Sequence, residues 1–312
     1  MRRIEFLIAD IRQGTNNTEY STTEGIPQNE FVRHLKDAQR HLQNLIIQQH
    51  QTAFIKEKYI DIVSGQELYA APSDAHLGQN IISMEFSPSA AQSAFRKVEL
   101  GTRKERNTAP GYPQIYIPQD GNFLLNPIPQ ASIAQGLRIG YQYRVPDLDM
   151  RRASVASAVV NSGTKQVTSI TVNNNATLDP NGFAAQDYIT VVDKDGNILM
   201  NSIAVSAWDP VGLVITGDPS FVYQTGETIP TGSYICFGKN TTTHSSMMDL
   251  CEDYLMKSCE YMILKRDSNV DSAESLADLR NKEKAIIDAY ASLSQDYEGI
   301  PITNHEFGFG GD

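Results

Sequence analysis

The chain has 312 residues, 40% of them hydrophobic, with 26 basic and 37 acidic side chains and a formal charge of −11. That length suffices for one large or two ordinary domains, and the apolar fraction for a packed core, which argues against wholesale disorder. The acidity argues against nucleic acid as a tightly bound partner, because phosphate binding needs a cationic surface; it does not exclude DNA passing nearby without sticking.

At the N-terminus, Ile4, Leu7, Ile8 and Ile11 recur with helical period, and Glu5 and Asp10 interrupt the apolar run. The segment is expected to be a helix of the mature protein and not a targeting signal. A polar loop over 14–26 leads to Pro27, which suits the first turn of a helix. Phe31, Leu35, Ala38, Leu42 and Leu45 then form an apolar seam on a long helix predicted to end near Ala53. Arg33, Lys36, Asp37, Arg40 and Gln43 face away from that seam.

The period next changes to two. Tyr59–Val63 and Glu67–Pro72, separated by Ser64-Gly65, read as a hairpin. Further strands are expected at 80–86, 95–100, 114–117, 123–126 and 137–145. Asp120-Gly121 is a hairpin turn signal between two of them. Pro110, Pro113, Pro118, Pro127 and Pro129 restrict these strands to short lengths or sheet edges.

After Asp149-Met-Arg-Arg152 the composition shifts toward Val, Ile, Thr, Ser, Asn and Gly, with few Lys or Arg. Strand-like runs at 153–160, 166–172, 188–192, 198–205, 211–215 and 233–237 suggest a small antiparallel barrel or sandwich. Helical period resumes directly afterwards, so the segment reads as an insertion. A helix is expected from about Ser246 to Lys265, with Met247, Leu250, Cys251, Tyr254, Leu255, Met262 and Ile263 as its stripe. A second starts at Asp271-Ser-Ala-Glu274, a variant capping box, and carries Leu276, Leu279, Ile286, Ile287, Tyr290 and Leu293. The short loop between them predicts antiparallel packing.

Gly299 and Pro301 stop the last helix, and Gly308, Gly310 and Gly311 disfavour another. Ile300, Ile302, Phe307 and Phe309 cannot build a core from so short a segment. Residues 297–312 are therefore expected to be an extended arm docked on another protein. Ile300, Pro301, Ile302, Phe307 and Phe309 would be its contacts, with both Phe rings on one face of an extended strand.

No phosphate-binding Gly loop, zinc-spaced Cys pair or nucleophile elbow occurs, and no cofactor is expected. His34, Asp37 and His41 share a helix face at a spacing that zinc could use, but Arg33 and Arg40 crowd it with positive charge. Asp193-Lys-Asp-Gly-Asn197 has the look of a short calcium loop without the downstream Glu, and reads as a hairpin turn. Trp208 could stack a sugar or base; as a core or interface anchor it needs no ligand. Cys236, Cys251 and Cys259 are odd in number and unclustered, so no disulfide framework is expected, and assembly in a reducing cytoplasm fits. No run of about 18 apolar residues offers a membrane span.

The element order resembles the head-to-tail adaptor (connector) proteins of tailed bacteriophages. The resemblance rests on the short first helix, the long helix with Leu35, Ala38-Gln39, Leu42 and Leu45, and the strand pair ending in Ala71-Pro72-Ser73-Asp74. It continues through Phe123-Leu-Leu-Asn-Pro127, Ile139-Gly-Tyr-Gln-Tyr143 and the C-terminal helix pair with Asp249–Tyr254. It covers most of the chain except 153–240.

The resemblance implies a ring, commonly of twelve copies, below the portal at the head–tail junction of the virion. Such a ring continues the DNA channel, holds tail, nozzle or tail-fibre proteins, has no catalytic residues, and would be assembled in the bacterial host cytoplasm.

The expected fold class is α+β: a helical bundle of long N- and C-terminal helices with β-hairpins and an inserted antiparallel β-barrel or sandwich. Residues 1–55 with 241–296 would form a discontinuous helical body, 56–152 its β-rich segment, 153–240 the insertion and 297–312 the arm. A rival reading is a receptor- or carbohydrate-binding tail component that uses the 153–240 domain and Trp208. A third is a wall hydrolase using carboxylates such as Asp249 and Glu252.

Overall fold

A computed structural model describes residues 2–15, 26–76, 80–89, 94–106, 109–161, 167–173, 183, 188–217, 229–266 and 272–298. Its class is α+β, with four helices and a closed six-stranded barrel beside smaller sheets among the described residues. The chain divides into two compact units, His50–Arg144 and Met1–Gln49 with Val145–Asp312.

Among its described residues, the unit His50–Arg144 has ten short strands. They are β1 (Ile55–Ile62), β2 (Leu68–Ala70), β3 (Ile81–Phe86), β4 (Arg96–Lys97), β5 (Glu99–Leu100), β6 (Pro110–Gly111), β7 (Ile115–Gln119), β8 (Asn122–Asn126), β9 (Ile128–Pro129) and β10 (Ile133–Gln142). One sheet has the order β1-β10-β3-β4 and another the order β2-β8-β7-β5. Phe86, Phe123, Leu125, Leu137 and Ile139 lie in their shared core.

The hairpin expected from Tyr59–Val63 and Glu67–Pro72 does not form. β1 pairs with β10, from Ile55↔Gln142 to Ile62↔Ile133, and β2 pairs with β8. The turn at Gly65 (φ +76°) parts the two segments into different sheets. The strand expected at 95–100 is split by Val98, which turns inward at 2% exposure between β4 and β5. The Asp120-Gly121 hairpin forms as expected, with both residues at positive φ (40° and 74°), the signature of a two-residue turn matched to strand twist.

In the larger unit, α1 (Ile4–Gly14) buries Ile4, Leu7, Ile8 and Ile11, the residues its period marks. α2 (Gln28–Gln49) buries Phe31, Leu35, Ala38, Leu42 and Ile46. Ile46 closes the seam in place of Leu45, and the helix stops at Gln49, where the chain turns through a positive φ at Phe54 into β1. α3 (Asp249–Arg266) packs on α1, α2 and α4 (Ser272–Glu298). Tyr254 donates to Glu283 at 2.8 Å and Cys251 is bonded to Tyr290, so the partner numbers fall as α3 ascends and the pair is antiparallel.

Between the helices the chain forms β11 (Asp147–Leu148), β12 (Ala153–Val160), β13 (Val167–Val172), β14 (Tyr188–Val192), β15 (Ile198–Asp209), β16 (Val214–Gly217), β17 (Tyr234–Phe237) and β18 (Thr241–Thr242). β12-β13-β16-β15-β14-β17 close into a barrel. Val155, Val167, Ile170, Phe183, Ile189, Val191, Ile203 and Ile235 fill it, all at 1% exposure or less. β11 and β18 run parallel, Asp147 opposite Thr241, so the two ends of the barrel segment lie side by side.

Candidate functional site: a buried polar junction

The most elaborate polar site among the described residues is where the barrel segment meets the helices. Asp147 and Asp149 are 5% and 2% exposed, and Thr241, Thr242, Thr243, His244 and Ser245 are all buried. Buried polar groups are tolerated where they are paired, and all of these except the Thr241 hydroxyl are. Asp147 accepts a bidentate pair from Arg40 of α2, Nε to Oδ1 at 2.9 Å and the guanidinium NH2 to Oδ2 at 2.6 Å. The same helix sends Gln39 Nε2 to the carbonyl of Pro146 (2.8 Å), and its Gln43 Oε1 accepts from Val145 N (3.2 Å). Gln43, expected to face away, is thus buried, because it satisfies a main-chain N–H that the seam would otherwise orphan.

Asp149 holds the barrel. It accepts from Arg152 Nε at 3.1 Å and from the main-chain N of Phe237, at the end of β17, at 2.7 Å. Arg152 stacks on the Phe237 ring (4.7 Å) and donates to Asn29 Oδ1 at the start of α2 (2.9 Å). β18 adds Thr242 Oγ1 to Gly196 O (2.6 Å), and α1 starts by donating Ile4 N to Thr243 O (2.9 Å). Beneath this, the His244 ring lies so close to Gly196 (φ +87°) that a Cβ there would meet Nδ1 at 2.5 Å. Burial, helped by the charge of Arg3, pushes the His244 pKa down. On α3, Glu252 (3% exposed) accepts from Arg2 N at 3.0 Å.

These contacts fix two strands, a barrel and three helices to one another. Each of these carboxylates is held by a cation or a main-chain N–H. Sequence reasoning did not single out Asp147, Asp149, Arg152, Arg40 or His244. The available signal was the Asp149–Arg152 spacing at the composition shift.

The residues that sequence reasoning did single out lie elsewhere. His34 faces Glu30 (3.6 Å) and His41 faces Glu283 (3.5 Å), while Asp37 is exposed. No group of three or more His, Cys, Asp or Glu among the described residues is arranged to hold a metal ion. Asp193 forms the hairpin turn, accepting from Asp195 N, Asn197 N and Asn197 Nδ2 at 2.8–2.9 Å. Burial raises its pKa, and these hydrogen bonds outweigh that and hold it low.

Trp208 is half-buried on the barrel core, its ring 4.9 Å from that of Phe183. Glu252, one of the carboxylates considered for hydrolysis, is buried as a cap for Arg2 N, whereas Asp249 is exposed in the first turn of α3. Cys236, Cys251 and Cys259 are free and buried. Burial pushes the thiols up, Cys251 to about 11 and Cys259 to about 12, which makes both poor nucleophiles.

Ile300, Pro301, Ile302, Phe307 and Phe309 lie outside the described residues. Among the described residues no helix is long and apolar enough to cross a membrane. Compared with known protein families and with curated proteins, the sequence matches none.

Proposed function

We propose that this chain is a structural virion protein, a ring-forming head-to-tail adaptor that joins the portal to the tail of a bacteriophage and continues the DNA channel. In this reading the four helices form one bundle that packs against its neighbours in the ring. The barrel is a stiff attachment rooted in the polar junction, and residues 297–312 reach the portal.

The observation that carries the reading is α3. Its buried side chains, Cys251, Tyr254, Leu255, Cys259 and Ile263, occupy the side that faces α1, α2 and α4. Yet Leu250 and Met262 of α3, expected in the core stripe, remain 46% and 44% exposed. Large apolar side chains left in water on a helix mark a surface that a partner can cover. Among the described residues Phe6 of α1 is also left 51% exposed. A neighbouring copy of the same chain supplies the missing cover in a ring.

Native mass spectrometry with negative-stain imaging tests the proposal. A closed ring with a central hole is expected. A trimer would favour a fibre-like receptor binder, and a monomer with lytic activity a wall hydrolase; either result overturns the adaptor reading.

A further inference from the structure

We draw no further inference here: the strongest candidate, the outer edge of β1, unpaired among the described residues, beside the groove that Lys58, Tyr59, Ile60, Tyr69 and Ala70 line between β1 and β2, suits an added strand, but nothing in the structure shows what covers it.

Discussion

Replacing Asp149 by alanine tests whether the barrel and the helices of the larger unit behave as one cooperative body. Asp149 is 2% exposed and serves two donors, the guanidinium of Arg152 and the main-chain N of Phe237. Alanine removes the acceptor for both, and the Arg152 side chain is only 17% exposed. Breaking a buried pair by deleting one partner costs about 3–5 kcal/mol, because the remaining charge and donor stay out of water unmatched. At roughly 2–4 °C per kcal/mol, the melting temperature should fall by about 6–20 °C.

The assay is built into the chain. Trp208 is its single tryptophan and sits on the barrel, so its fluorescence follows the barrel, while far-ultraviolet circular dichroism follows the helices. In the wild type the two transitions should coincide. In Asp149→Ala both should move down, the fluorescence transition first, because its root on the helices has been cut. Asp149→Asn keeps an acceptor for Phe237 N and should lose less. A loss below about 1 kcal/mol, the scale of an exposed ion pair, with the two curves still coincident, would refute the view that this junction couples the two parts.

Four further outcomes are expected. Leu42→Ala, at a fully buried position of α2, should cost about 2–5 kcal/mol by denaturant unfolding. Stability should decline as pH falls through about 6.5, because His244 and His76, whose folded pKa values are both lowered by burial, take up protons more readily once unfolded. Glu5 and Asp195 oppose that shift at His244 while Arg3 reinforces it, and His244→Gln should flatten the dependence of melting temperature on pH. Joining Arg152 to Thr241 by a short linker, with the barrel removed, should leave a folded helical remainder by circular dichroism, since Asp147 already lies opposite Thr241. Removing residues 298–312 should leave the melting temperature of the isolated protein nearly unchanged and abolish attachment to portal-bearing heads; normal attachment by the truncated protein would count against the arm.

The helices were legible because an amphipathic helix declares its buried face every three or four residues, whatever it packs on. α1 and the seam of α2 follow that rule to within one step, with Ile46 in place of Leu45. β12 was legible end to end, and β14 likewise, since both are short runs rich in Val and bounded by polar residues. The β1–β2 pairing was not. Ser64-Gly65 is a good local turn, but strand partnership is decided by burial across the sheet: β1 takes β10, more than seventy residues on. Gln43, expected to face away, was misjudged for a related reason: its partner, Val145 N, is remote in sequence, and hydropathy alone assigns an amide to water.

The same limitation applies to charge. A total of −11 describes the field far from the molecule, and steering at long range follows it. At contact distance, screening confines each charge to about a Debye length, roughly 8–10 Å at physiological salt, so local neutralisation decides what a surface attracts. In the larger unit cations are drawn into the junction: Arg40 onto Asp147 and Arg152 onto Asp149. In the smaller unit the arrangement is reversed, for Glu67, Glu85 and Glu105 are engaged and Arg96, Arg103 and Lys104 have no ion-pair partner among the described residues.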